Sequence, residues 1–219
     1  MLELIVLILI AYVIGSTPTS IIVSKLVYKT DVREHGSGNA GATNIFRTFG
    51  WKPALFVTLV DVFKGWLPAY AISIFHSDQI LFANNPDLLM IIAGFASVLG
   101  HTYTVFAGFK GGKGVGTAAG MLIALFPVAL PICILVFILT LMTTGIVSLG
   151  SMLAATALPI TLFIIGGFIT PEAQISLTLR VFSLLIPIFI VFTHRSNITR
   201  MREGTENRFE KARIFKRKK

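Results

Sequence analysis

An all-α integral membrane protein, a seven-transmembrane-helix bundle with the N-terminus outside and the C-terminus cytoplasmic, is the fold class this sequence predicts, and three observations predict it. Hydrophobic residues make up 54% of the 219-residue chain and charged residues only 13%, where an ordinary soluble domain carries about a quarter. Apolar runs of membrane-crossing length recur between short polar links. The basic residues then gather in links of one parity. Segments 25–52, 107–113 and 194–219 hold 17 of the 19 Lys and Arg, while the opposite links hold Asp78, Asp87 and Glu172 and no Lys or Arg, which is the positive-inside distribution. The net charge of +9 therefore points to an anionic membrane face rather than to nucleic acid. One cysteine, Cys133, cannot form a disulfide within the chain.

Residues 1–24 form the first predicted span. No Lys or Arg precedes their apolar run and no small-residue cleavage motif closes it, so it reads as a retained helix rather than a signal peptide. A polar segment follows from Lys25 to Lys52. The second span runs from Pro53 to about Phe75, and the third from about Leu88 to Phe106. From Gly114 to Pro171 come 58 residues without a formal charge, too many for one span and enough for two or three. Two prolines in Phe126–Pro131 and two glycines in Gly145–Ser151 mark breaks. Glu172 marks an outside turn, and the last span covers about Ser176 to Thr193. The count is seven, the middle pair short, although five spans would leave both ends on the same sides. Residues 1–199 are expected to form the membrane domain. Residues 200–219 form a basic tail, expected to be partly helical along Arg200–Arg213, with its terminal KRKK block drawn to lipid headgroups.

The residues able to do chemistry concentrate on the inner face. The loop GSGNAGATN at 36–44 contains a GxGxxG at Gly36, Gly38 and Gly41, but no buried strand precedes it, so a dinucleotide site is rejected. What remains is a small, polar, flexible backbone, with Ser37, Asn39, Thr43 and Asn44, and with Arg47 one helical turn beyond. Converging glycine amides and a forked guanidinium suit a phosphate. The second inner loop, FKGGKGVGT, lacks the Walker A spacing. Its Gly111, Gly112 and Gly114 stand where a span begins, beside Lys110 and Lys113, so free amides and a positive helix end can face an anion.

His101 falls near the inner end of the third span, as either a packed hydrogen-bonding residue or a functional one. Asp61 and Lys64 share a helical face in the second span and are expected to pair. His194, Asn197 and Arg200 recur every third residue after the last span, with Glu206 further along. Ser148 and Ser151 fall on the same inner face. No Asp or Glu is evident as an orienting partner for either histidine, and Cys133 reads as a packing residue. Two glycine-rich loops, several cations and two histidines on one face of a bundle imply a phosphorylated, water-soluble substrate meeting something in the bilayer.

GSGNAGATNIFRTFG, GHTYTVFAGFKGGKGVGT, VSLGS and HRSNITRMREGTE, in that order, resemble the signatures of the bacterial acyl-phosphate:glycerol-3-phosphate acyltransferases, the PlsY-type family. The resemblance runs from about Gly15 to Glu206. It implies a multi-pass enzyme of the bacterial inner membrane, its active site facing the cytoplasm. Such an enzyme moves a fatty acyl group from a long-chain acyl phosphate to the 1-hydroxyl of sn-glycerol 3-phosphate, giving lysophosphatidic acid and inorganic phosphate, with no metal, cofactor or obligate protein partner. Carried over by position, it assigns Ser37, Asn39, Thr43, Asn44 and Arg47 to a substrate cradle and Lys110 and Lys113 to a phosphate loop with its glycines. It has His194 and Asn197 hold the acceptor or the reacting carbonyl, Glu206 brace the tail, and Ser148 or Ser151 line the pocket. The proton has two possible acceptors, a histidine (His194 or His101) or a substrate phosphate, and the phosphate is the favoured one. A transporter of phosphorylated solutes is the competing class. It predicts inverted halves with broken helices meeting at mid-bilayer, whereas these candidate ligands cluster on one face.

Overall fold

Prolines and glycines punctuate apolar sequence that would otherwise run on as helix. In the computed structural model, which describes residues 1–75, 78–165 and 175–213, every regular element among the described residues is helical. Pro18, which has no amide hydrogen to donate, divides the first apolar run into α1 (Leu2–Ser16) and α2 (Thr19–Tyr28). After a loop come the short amphipathic α3 (Ala42–Phe49) and the long α4 (Trp51–Ile74), with α5 (Pro86–Thr102), α6 (Val115–Leu125) and α7 (Ala129–Thr144) next in the chain. The last three helices are α8 (Val147–Ile164), α9 (Leu177–Thr193) and α10 (Arg195–Arg202). Leu2–Tyr28, Trp51–Ile74, Pro86–Ala107 and Val147–Ile164 are long and apolar enough to cross a membrane. The pair α9 and α10, bent by 59° at His194, makes a fifth candidate, and α6 and α7 are apolar but shorter. The expected outer turn at Glu172 and the terminal KRKK block lie outside the described residues.

Two compact units divide at Leu125. In the first, α1 packs on α5, and α4 on α5 and α6. These contacts are backbone-close because small residues stand at them: a side chain at Gly15 would run into the Ser97 carbonyl, one at Gly65 into the Thr117 carbonyl, and one at Gly120 into the Val62 carbonyl. Close approach of this kind replaces the hydrophobic drive that lipid does not supply. Polar bonds reinforce it, since the Ser97 hydroxyl donates to the Lys64 carbonyl at 2.7 Å and the Thr104 hydroxyl donates to the Ser16 carbonyl.

In the second unit, α8 packs on α7 and α9. The break expected at 126–131 spans Phe126–Val128, and α7 takes Pro131 into its first turn, where a missing amide costs nothing. The break at Gly145 is shorter than expected. Gly145 caps α7 in the left-handed conformation (φ 73°) and α8 begins at Val147, so Ser148 and Ser151 stand in helix rather than in a turn. The tail along 200–213 is helical in part, as expected. α10 ends at Arg202, Gly204 turns the chain at φ 72°, and among the described residues beyond it only Glu210–Ala212 is helical.

Candidate active site

The loop between α2 and α3 is built around two side chains. Asp31 accepts from the Arg33 amide and Nε, each at 3.0 Å, and from Nη2 at 2.8 Å, and Lys25 Nζ lies 3.3 Å away. Hydrogen bonding from the Arg33 side chain holds the Asp31 carboxyl well below the usual carboxylate range, against the opposing effect of burial. Asn44, in the first turn of α3, reaches back. Its Nδ2 donates to the carbonyls of Val32 and His35 at 2.9 Å each, and its Oδ1 accepts from the Ser37 amide at 2.9 Å. Gly36 adopts φ 57°, and a side chain there would strike Asn44 Oδ1, so the position requires glycine twice over.

These bonds correct one expectation. The Ser37 amide is taken by Asn44 and the Gly38 amide donates to the His35 carbonyl at 3.0 Å, so these two amides are committed within the loop. Asn44 itself is buried and braces that loop. The segment also offers a ligand side-chain chemistry: Ser37, Asn39 and Thr43, all half-buried, and half-buried Arg47 in the last turn of α3.

The second glycine-rich loop is tied down in the same way. The Gly111 amide donates to the Thr102 carbonyl and the Gly112 amide to the His101 carbonyl, each at 3.1 Å. Those two amides therefore close off the end of α5 instead of facing an anion. Gly114 turns the chain at φ 80° into α6, whose first amides have no intrahelical partners. Lys110 is exposed and Lys113 half-buried beside that helix start. The two loops touch, because Arg33 Nη1 donates to the Ala107 carbonyl at 3.1 Å and Ala107 packs on the cluster of Val32, Ala40 and Ile45. Arg47 on α3 and Lys110 and Lys113 in the second loop thus belong to segments that touch through Arg33 and Ala107, and cations of this kind suit phosphate.

Beneath it lies a charged group that the sequence reading foresaw only in part. Asp61 Oδ1 and Lys64 Nζ pair at 2.8 Å as expected, and His101 Nδ1 also comes within 3.5 Å of Asp61 Oδ1. This corrects the reading that neither histidine has a carboxylate partner. Forty residues separate the two in sequence, and only the packing of α4 on α5 brings them together.

In the second unit Glu206 gathers three donors. The Ser148 hydroxyl and Asn197 Nδ2 donate to Oε1 at 2.7 and 2.6 Å, and Arg200 Nε donates to Oε2 at 2.8 Å. Burial acts to raise the Glu206 carboxyl, but the bonds from Asn197, Ser148 and Arg200 outweigh it and hold the group below the usual glutamate range. Ser151 instead donates to the Val147 carbonyl of its own helix at 3.0 Å. His194, buried at the bend between α9 and α10, has Nδ1 2.8 Å from the Ile190 carbonyl. A carbonyl only accepts, so Nδ1 carries the hydrogen and Nε2 of the neutral ring is an acceptor. Asp31 and Arg33 went unnoticed because DVREH reads only as a charged run, and its folding back on itself leaves no periodic signal.

A sequence model of the family described as glycerol-3-phosphate acyltransferase matches residues 5–204. Among curated relatives, the glycerol-3-phosphate acyltransferase of Chlorobaculum tepidum is 45% identical, over 95% of this chain and 97% of its own. That of Pelodictyon phaeoclathratiforme is 42% identical, with 95% and 97% covered. Among solved structures, the glycerol 3-phosphate form of PlsY (YgiH), an integral membrane glycerol 3-phosphate acyltransferase, superposes with TM-score 0.81 at 33% identity, covering 94% of this chain and 96% of that one. The lysophosphatidic acid form gives 0.79 at the same identity, with 94% and 95% covered.

Proposed function

Because the chain belongs to the glycerol-3-phosphate acyltransferase family, we propose that it transfers a fatty acyl group from an acyl phosphate to the 1-hydroxyl of sn-glycerol 3-phosphate. The hydroxyl oxygen attacks the acyl carbonyl carbon, the bond from that carbon to the phosphate oxygen breaks, and the hydroxyl proton leaves with a phosphate or on His194. The products are 1-acylglycerol 3-phosphate and inorganic phosphate. The observation that carries the reading is the contact between the two glycine-rich segments, one leading into α3 with Arg47 and the other holding Lys110 and Lys113. Both substrates are phosphorylated and the donor is already activated. Catalysis then reduces to positioning and charge neutralisation, for which cations and small polar side chains suffice.

In this reading Ser37, Asn39, Thr43 and Arg47 contact substrate, with Gly36, Gly38 and Asn44 setting the loop. Lys110 and Lys113 take phosphate beside Gly111, Gly112 and Gly114. His194 and Asn197 hold the acceptor or the carbonyl, Nδ1 of His194 being fixed by the Ile190 carbonyl. Ser148 or Ser151 contacts substrate, Ser148 being bonded to Glu206. The two short apolar helices α6 and α7 join the longer ones as the fourth and fifth of seven spans in the bacterial inner membrane, with the N-terminus outside and the two glycine-rich segments in the cytoplasm. The basic tail at 200–219 is drawn to anionic lipid headgroups.

Donor exchange tests the reading. Purified protein given labelled glycerol 3-phosphate should form lysophosphatidic acid from palmitoyl phosphate and not from palmitoyl-coenzyme A. The converse preference would overturn the proposed donor.

A further inference from the structure

Asp61, Lys64 and His101 are 4%, 3% and 7% exposed, inside helices that the composition places in lipid. Ionisable groups there are costly to bury and call for a task. Pairing accounts for part of their retention, since Lys64 Nζ is 2.8 Å from Asp61 Oδ1 and also donates to the Thr17 carbonyl at 2.8 Å, at the break between α1 and α2. Ion pairing alone does not explain why His101 joins them, nor why the group lies directly under the lysine loop.

Two contacts connect the group to that loop. A side chain built on Gly112 would fall on His101 Nε2, so the ring nitrogen packs against the glycine itself, and a Cβ on Gly116 would stand 3.4 Å from the Asp61 Cβ. Lys113 lies between these two points. On the other side of the ring, Nδ1 faces Asp61 Oδ1 at 3.5 Å. The imidazole therefore lies between the Asp61 carboxylate and the residue preceding Lys113, with Gly112 against its Nε2.

We propose that His101, oriented by Asp61 and Lys64, is a positioning residue that sets the 110–114 loop so that Lys113 meets a phosphate group. It is neither the general base nor a direct substrate ligand. The inference rests on the reading that Lys113 grips phosphate, and it adds the buried post on which that grip depends. A rigid support of this kind matters because small errors in the placement of a charged contact carry large losses in binding and rate.

A coupling experiment tests it, with glycerol 3-phosphate as the probe and the detergent-purified full chain as the protein. Affinity is read by calorimetry, alongside KM and kcat for acyl transfer from palmitoyl phosphate. Gly112→Ala and His101→Ala should each weaken glycerol 3-phosphate binding about tenfold, a coupling size ordinary for residues in contact. KM should rise with the dissociation constant, and kcat should change less. The double variant should bind no more weakly than the worse single, because the added methyl fills space the imidazole vacates. His101→Asn, which keeps a donor toward Asp61, should recover part of the affinity. Gly112→Ala leaves all three ionisable side chains in place, so it decides the matter even where His101→Ala is too unstable to purify. Additive losses in the double variant, or unchanged affinity in Gly112→Ala, would overturn the proposal. A wild-type protein that binds glycerol 3-phosphate but makes no lysophosphatidic acid would overturn the proposed reaction, and the binding ratios would still judge the role of His101.

Discussion

Ser148 and Glu206, 58 residues apart in sequence, are joined by a 2.7 Å hydrogen bond from the serine hydroxyl to Oε1. The bond fastens the segment after α10 to the first turn of α8, and Asn197 and Arg200 close the same carboxylate from α10. Removing it strands three donors. Glu206→Ala should lower stability by about 2–4 kcal/mol, in the range for breaking a buried charge network, read as the thermal unfolding midpoint in detergent. Ser148→Ala should cost about 1 kcal/mol. Ser151→Ala, which removes only a bond within its own helix, should cost less than Ser148→Ala.

The depressed Glu206 pKa makes this network sensitive to acid. The unfolded chain titrates this group near the ordinary value of about 4.3, and the folded state titrates it lower. Between those two values the unfolded state binds more protons, so stability rises with pH. The contribution is fully present above the ordinary value and is lost as pH falls through the folded one. Wild-type unfolding midpoints should drop as pH falls below about 4, and the difference between wild type and Glu206→Gln should shrink over the same window. A constant difference down to the lowest pH would contradict the assignment.

Arg33 links the two glycine-rich loops through the Ala107 carbonyl while neutralising Asp31. Lysine cannot supply the same planar fork. Arg33→Lys should therefore loosen the segment around Ser37 and Gly38, and hydrogen exchange at those amides should accelerate about tenfold or more. Exchange confined to wild-type rates would show that the Asn44 brace suffices alone.

At Gly65 an added methyl would meet the Thr117 carbonyl, whereas at Gly116 it would meet only ordinary van der Waals contact with the Asp61 side chain. Gly65→Ala should cost about 1–3 kcal/mol by forcing α4 away from α6. Gly116→Ala should be neutral or slightly stabilising for the fold, because alanine is the better helix former. Unfolding midpoints of the two variants provide the comparison.

Much of this was legible in the sequence because the signals are local. Pro127 and Pro131 mark the break before α7, Gly145 the end of α7, and the three-residue spacing of Asp61 and Lys64 their ion pair. The glycine-rich loops declared themselves by composition, but composition does not say where amides point. Gly111 and Gly112 donate to α5 carbonyls, a consequence of how the loop folds onto that helix. Likewise Ser148 and Ser151 look equivalent in VSLGS, and only the return of the chain after Gly204 singles out Ser148 as the partner of Glu206. His101 and Asp61 lie on different helices, so their meeting depends on the registration of α4 against α5, which contacts such as the Ser97 bond to the Lys64 carbonyl fix and periodicity does not reveal.

The most direct test of the central claim, that Lys113 and Arg47 grip phosphate so that a hydroxyl can reach an activated acyl group, measures lysophosphatidic acid and inorganic phosphate together. Purified protein would be supplied with palmitoyl phosphate and glycerol 3-phosphate, without ATP, added metal or coenzyme A. The account predicts equal amounts of the two products in wild type and in Cys133→Ala, and a loss of about 100-fold or more in kcat/KM in Lys113→Ala and Arg47→Ala. Full turnover in Lys113→Ala and Arg47→Ala, or its abolition by Cys133→Ala alone, would contradict it.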